Sequence, residues 1–513
     1  MAPRIGFEFQ LTRSREALRA SRDSAMRILV MGDLSGRANR ACENASDLPQ
    51  RSIVSIDIDN FDQVLSRIGP SLKLALEDSA GAAVTIEFRR LDDFHPDRLY
   101  RDLSLFEALR QMRSRLRDPA TFADAAEKLR KERAHVTQPQ RSAVTPPVAS
   151  DAENDTATLE RLLGAKPLPA TPAPARPAGK AVDIEGLIRN IVAPHIVPDA
   201  PSHQAQYIAS VDAAIGEQMR AVLHDPALQA LESTWRAVRW LTAELETGEQ
   251  LKLYLLDVTL EELRADMRAA QGDPGRSGLY RLLVEQDSGI TGGEPWSLLA
   301  GNYALGRASE DLDLLAFIGA IASQAGGPFL MSADARFLGC PSLATAPDPT
   351  AWQATGADAE KRWQALRQSS VASWLGVAFP RFLLRAPYGK RNDPVEQFDF
   401  EEMKSAFDHE SFLWGNPAIA CAFLIGRAFL DNGWDMELGD QRDIGDLPAV
   451  MLERDGEKQL LACAETYLSE RAGEAILARG LMPFLSIKNQ NAARLLRFQS
   501  LAAPAQPLSG PWR

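Results

Sequence analysis

The residues Gly32-Asp33-Leu34-Ser35-Gly36-Arg37 follow an apolar run, Met26–Met31, where a phosphate-binding loop would leave its strand. Such a loop needs a lysine to meet the phosphate. None is present, so the segment reads as a turn capped by Asp33 or Ser35. Gly289-Ile290-Thr291-Gly292-Gly293-Glu294-Pro295 is also glycine-rich and also lacks the lysine; it reads as a loop packed under Trp296. The six histidines, His95, His135, His195, His203, His224 and His409, show neither HExxH nor any paired metal-ligand spacing. No GxSxG elbow offers a serine nucleophile. The acidic pairs Asp92/Asp93 and Glu401/Glu402 suit caps and solvated faces, since general acid–base work would require burial. The nine tryptophans mostly have apolar neighbours and read as core anchors. The pattern argues against an enzyme and implies no cofactor and no metal.

The elements that would position these residues are of mixed type. In the N-terminal part, Ile5, Phe7, Phe9 and Leu11 alternate with Gly6, Glu8 and Gln10, a strand pattern with one apolar face. Met26–Met31 reads as a buried strand, and Ile53–Asp59 and Val84–Phe88 as further strands. Asp59-Asn60 caps a helix carrying Phe61, Val64, Leu65 and Ile68, and one helix is expected through Leu99, Leu103, Phe106, Leu109 and Met112. In the C-terminal part, Ile184, Leu187, Ile188 and Ile191 form an i, i+3, i+4, i+7 stripe stopped by Pro194 and Pro198. Helices are expected over Tyr207–Leu223, from Pro226, and over Leu312–Ala325, Asn416–Asn432 and Arg471–Arg479, the last closed by Gly480. Strands are expected at Leu251–Val258, Phe329–Met331, Trp374–Ala378 and Met482–Ser486. The fold class is therefore mixed α/β.

The chain of 513 residues is too long for one ordinary domain. Eight prolines lie between Pro139 and Pro177, in Pro/Ala-rich sequence that suits an extended tether rather than a core. The expected organisation is a domain at 1–135, a linker at 136–180 and a second domain at 181–513. Formal charge divides the same way, +2, +1 and −15, for a total of −12. That balance disfavours nucleic acid and anionic membranes as partners. No apolar run is long enough to span a bilayer, and no signal-peptide pattern opens the chain. Cys42, Cys340, Cys421 and Cys463 are widely spaced without CxxC, which fits a reducing cytoplasm.

Several segments together resemble a known family. Met26–Arg37, Asp59–Leu65 and Phe88–Asp97 are similar, in order and spacing, to the small sheath subunit of type VI secretion systems (the VipA/TssB family). Leu223–Arg236, Gly292–Trp296, Phe379–Gly389, Asn392–Phe398, Leu413–Asn416 and Lys488-Asn489 resemble the large subunit (the VipB/TssC family). The resemblance implies a phage-tail-sheath-like fold and a bacterial, cytoplasmic, non-enzymatic subunit of a contractile sheath. The implied sheath assembles around an inner tube and contracts to drive effector delivery. Implied partners are the protein itself and other sheath subunits, an Hcp-type inner tube, baseplate proteins and a ClpV-type AAA+ ATPase. Two departures stand out. The two subunits are usually separate chains, and large subunits usually continue past Lys488-Asn489 into a further C-terminal domain. An accessory protein that caps or nucleates the sheath at the baseplate or distal end is the alternative reading.

Two assembly elements are expected. Ile5, Phe7, Phe9 and Leu11 suit a strand added to a neighbouring subunit's sheet edge, or else one completing the protein's own sheet. In the resembled large subunit, an N-terminal helix is what the disassembly ATPase recognises. Ile184, Leu187, Ile188 and Ile191 stand near that place, with docking on the domain's own core as the alternative.

Overall fold

The computed structural model describes residue 7 and residues 24–40, 45–74, 84–137, 204–286, 294–353, 356–404, 408–454 and 457–512. The expected strand at residues 5–11 therefore lies outside the described residues except for Phe7, and the stripe at 184–191 lies wholly outside them.

Met26–Gly32 forms strand β1, every residue of it buried. Apart from Arg27, whose guanidinium lies over the Trp296 ring, the run is apolar, which suits a strand covered on both faces, as parallel sheets require. Eight further strands complete its sheet: β2 (Val54–Ile56), β5 (Leu251–Asp257), β6 (Leu298–Leu305), β7 (Phe329–Ala333), β8 (Leu375–Phe379), β11 (Asp443–Ile444), β14 (Met482–Ser486) and β15 (Ala493–Leu495). Their order is β11-β15-β14-β8-β7-β6-β1-β5-β2. β1 pairs in parallel with β5 on one side (Met26 opposite Leu251) and with β6 on the other (Ile28 opposite Leu298). The N-terminal part of the sequence thus supplies a central strand between two from the C-terminal part. β2 closes one edge, antiparallel to β5. Among the described residues three small sheets accompany it, pairing β3 (Ser71–Leu74) with β4 (Val84–Glu87), β9 (Phe382–Leu383) with β10 (Trp414–Gly415) and β12 (Met451–Arg454) with β13 (Glu457–Leu460).

Helices cover both faces of the sheet. Leu29 and Met31 join an apolar cluster with Leu315 and Ile318 of the helix Ser309–Ala325. Ile28 and Val30 alternate to the opposite face, where the helix Pro417–Asn432 packs along β1, β6, β7 and β8. The helix Pro226–Glu244 lies against it and begins at Asp225, whose side chain accepts from the Ala227 and Leu228 N–H groups.

The chain divides into two compact units. One comprises Met1–Leu76, Ala83–Ser104 and Gly216–Arg513 and holds the sheet; the other comprises Glu77–Ala82 and Leu105–Ile215. In the second unit the helices Glu107–Arg117 and Phe122–Thr137 pack against residues 204–215 of the helix Gln204–Leu223. Arg113 forms a buried ion pair with Asp212, and Arg130 Nε donates to the Tyr207 hydroxyl at 2.6 Å.

The single helix expected through Leu99–Met112 is broken. Pro96–Asp102 ends at Leu103, which is extended, and a 3-10 turn at Ser104–Phe106 precedes Glu107–Arg117. The break lets Leu103, Leu105 and Phe106 all be buried, which one straight helix stripe would not allow. The strand expected at Ile53–Asp59 stops at Ile56, because the Asp57 carboxylate accepts from the Asp59 and Asn60 N–H groups and turns the chain. β3, β6 and the helices Leu260–Ala269 and Ala357–Arg367 are additions to the expected elements. Gly480 closes Glu470–Ala478 with φ +86, as its position suggested.

Candidate assembly joint and strand-end cleft

The turn after β1 is built around carboxylates of the protein itself. Asp257 Oδ1, at the end of β5, accepts from the Leu34 N–H at 2.8 Å and the Ser35 N–H at 3.1 Å. Its Oδ2 accepts from the Ser35 hydroxyl at 2.7 Å. Asp33 accepts from the Arg37 and Ala38 N–H groups. The donors a phosphate would need are therefore engaged internally, which is the physical reason the turn is not a nucleotide loop. Burial raises the Asp33 pKa, and its backbone hydrogen bonds only partly oppose this. Gly36 sits at φ +75, and a Cβ there would fall 2.4 Å from the Ser71 carbonyl oxygen, so only glycine fits.

Glu262 is the hub of the joint. It closes a capping box with Thr259 at the start of Leu260–Ala269 and its side chain is fully buried. Its Oε1 accepts from Arg37 Nη2 at 2.9 Å and from Arg51 Nη2 at 2.6 Å; its Oε2 accepts from Arg51 Nη1 at 2.9 Å. Arg51 also pairs with Asp47 at 2.7 Å. Burial pushes the Glu262 carboxyl up, but hydrogen bonds from Arg51 and Thr259 with the charges of Arg51 and Arg37 outweigh it and leave the pKa lowered.

A second seam joins two of the family-like motifs. His95 caps the helix Pro96–Asp102 through Nδ1, and Asp97 accepts from the Glu396 and Gln397 N–H groups at 3.1 and 3.2 Å. The His95 ring meets Tyr388 edge-on at 4.9 Å, and Tyr100 packs on Phe398 at 4.9 Å. Thus Phe88–Asp97 docks on Tyr388–Phe398. Beneath it Arg385 is buried between Glu232 (2.8 Å) and Glu402 (2.7 Å), and Arg236 bridges Glu232 to the Tyr388 hydroxyl. Glu402 also accepts from the Tyr388 N–H, and His224 Nε2 stands 3.6 Å away. Burial alone would raise the Glu402 pKa; the charge of Arg385 with these neighbours instead lowers it to about 2.

A cleft of about 980 Å³ opens at the carboxyl ends of β1, β6, β7 and β8, where open parallel sheets place their crevices. Leu231, Leu260, Ala304, Phe379 and Trp414 line it with apolar surface. Of its charged groups, Arg381 pairs with Glu465 and Glu410 and Arg336 with Asp334, while Asp33 is held by backbone N–H groups.

Of the assembly residues expected from sequence, Phe7 is half-buried and packs against the main apolar cluster; Ile5, Phe9, Leu11, Ile184, Leu187, Ile188 and Ile191 lie outside the described residues. The joint's charged residues were not anticipated. The Thr259–Glu262 capping-box spacing was the one readable signal, since Arg37 and Arg51 stand more than 200 positions away. Among the described residues no group of three or more His, Cys, Asp or Glu could hold a metal, and no helix is long and apolar enough to cross a membrane.

Comparison with known proteins places these seams in context. Residues 205–502 match the family model described as EvpB/VC_A0108, tail sheath N-terminal domain. Residues 2–144 match the model described as type VI secretion system, VipA, VC_A0107 or Hcp2. The chain is 32% identical over 314 residues to the type VI secretion system sheath protein TssC1 of Pseudomonas aeruginosa, covering 60% of this chain and 63% of that protein. It is 25% identical over 127 residues to TssB1 of the same organism, covering 24% of this chain and 71% of that protein. The chain belongs to the type VI secretion tail-sheath family, and joins a TssB/VipA-like segment to a TssC/VipB-like tail-sheath domain in one polypeptide.

Proposed function

We propose that the chain is a ready-made protomer of a contractile sheath, which assembles around an inner tube and contracts to drive effector delivery. The supporting observation is the placement of β1, from the small-subunit-like segment, between β5 and β6 of the large-subunit-like segment. A strand in that position is part of the core, so the two segments act as one body. In this reading the protein works in the bacterial cytoplasm without catalysis. Its partners are other sheath subunits, an Hcp-type inner tube, baseplate proteins and a ClpV-type ATPase. Ile5, Phe7, Phe9 and Leu11 are proposed as the strand that engages a neighbour, and Ile184, Leu187, Ile188 and Ile191 as the helix the ATPase recognises.

Negative-stain electron microscopy of the purified full chain tests the proposal. Hollow cylinders are expected. Discrete particles at every concentration would replace this reading with that of an accessory capping or nucleating protein.

A further inference from the structure

The connections of the large sheet reverse at one place. From β1 the chain leaves toward the β5–β2 side, and from β6 it leaves toward β7 and β8, while β1 and β6 lie side by side in parallel. The crevice outside the carboxyl ends of two such strands is where open sheets take their ligands. The strand-end cleft stands there: Asp33 follows β1, and Asn302 and Ala304 belong to β6. Its volume of about 980 Å³ suits a small organic molecule or a short stretch of peptide.

Two hydrogen-bond acceptors at the reversal are free. The Asp33 carboxylate takes the Arg37 N–H on one oxygen and the Ala38 N–H on the other. No cationic side chain among the described residues pairs with it, and Asp257, of the same sign, stands near enough to oppose its ionisation. Asn302 lies beside the end of β1, where a Cβ on Gly32 would fall 3.1 Å from the Asn302 Cβ. The Thr234 hydroxyl donates to the Ala230 carbonyl oxygen, so toward Asn302 it can only accept, and Asn302 Nδ2 donates to it at 2.7 Å. That fixes the orientation of the amide. Its oxygen is the free atom and accepts from no described residue.

An anion finds no counterpart in this cleft. Arg381 is engaged by Glu465 and Glu410, and Arg336 is turned onto Asp334. Among the described residues the lining carries the carboxylates of Asp33, Asp334, Glu410 and Glu465 against these two arginines, and no lysine. A cation is the group the cleft lacks. Leu231, Leu260 and Ala304 offer apolar surface to the body that carries it.

We propose that the strand-end cleft binds an organic cation, an ammonium or guanidinium group on an apolar body, with Asp33 and Asn302 accepting from its N–H groups and the body lying along Leu231, Leu260 and Ala304. Such a site is independent of the sheath reading, because binding is measured on the full chain whether or not it forms cylinders.

Isothermal titration calorimetry with n-hexylguanidinium, hexanoate and 1-hexanol tests it, since the three probes share a hydrocarbon body and differ in charge. The guanidinium should bind about ten-fold or more tightly than either of the others, and Asp33→Asn should weaken it by a similar factor, the effect of losing a hydrogen bond to a charged group. Ala230→Trp, at an exposed position on the cleft rim, should abolish binding by filling the cleft while leaving Asp33 in place, which keeps a readout if Asp33→Asn does not fold. Melting curves identify the folded variants. Acetyl-Leu-Arg-Leu-amide distinguishes the sources of the cation: tighter binding than hexylguanidinium assigns it to a side chain of a partner protein, weaker binding to a free small molecule, and either supports the site. Equal binding of hexanoate or 1-hexanol, undiminished binding by folded Asp33→Asn or by Ala230→Trp, or no binding of either cationic probe would overturn the inference. None of these results bears on whether the chain forms cylinders.

Discussion

Glu262 carries more of the joint than any other side chain described, because it neutralises two arginines from the N-terminal segment in a water-excluded place. Removing Glu262 leaves Arg37 and Arg51 with Asp47 as their remaining acidic neighbour, a loss of charge-assisted hydrogen bonds costing about 1–3 kcal/mol. Glu262→Ala should therefore lower stability by about that amount in urea unfolding, whereas Glu310→Ala, in an exposed pair with Arg268, should cost about 1 kcal/mol or less. The Glu402 cluster adds a pH dependence. Its carboxyl titrates at about 2 in the folded protein against 4.5 ordinarily. A depressed folded pKa gives stability that is full above the unfolded value and lost as pH falls. Unfolding free energy should thus decline between about pH 4.5 and 2. Glu402→Gln should flatten that slope; an unchanged slope would remove Glu402 from the account.

Elements were legible where one physical cause dominated. The runs Met26–Met31 and Met482–Ser486 read as strands because they are short and mostly apolar, and Asp225-Pro226 marked a helix start through its cap. β6 was not among the expected strands; it carries Gly301 within it, where a Cβ would lie 2.4 Å from the Phe329 ring, so glycine serves packing there. The joint was illegible for another reason: Arg37 and Glu262 meet only because β1 inserts beside β5, and no local pattern encodes that. Two element-scale proposals have direct tests. Deleting residues 1–11 should abolish higher-order assembly, read by light scattering, while a soluble folded protomer remains; loss of folding would assign the strand to the protein's own sheet. Replacing Leu187 and Ile188 with Ala should reduce binding of a ClpV-type ATPase with little change in melting temperature. If these residues are core instead, each truncation should cost about 2–5 kcal/mol and lower the melting temperature plainly, with ATPase binding unchanged.

At the scale of the whole molecule, the sequence separates two family-like parts by a proline-rich stretch, yet the sheet interleaves them. β1 is flanked on both sides by strands of the other part, and the paired seams at Glu262 and at Asp97 lie between the same two segments. Apolar burial of β1 and its flanking strands, which salt does not screen, supplies most of this cohesion. The account therefore turns on whether the two parts remain one body when the chain between them is cut. A protease site placed within Pro139–Pro177, followed by cleavage and gel filtration in 1 M salt, measures this directly, taking about 1 M as the level that screens exposed charges within a few ångströms. The account predicts a single peak containing both fragments; two separate peaks would contradict it.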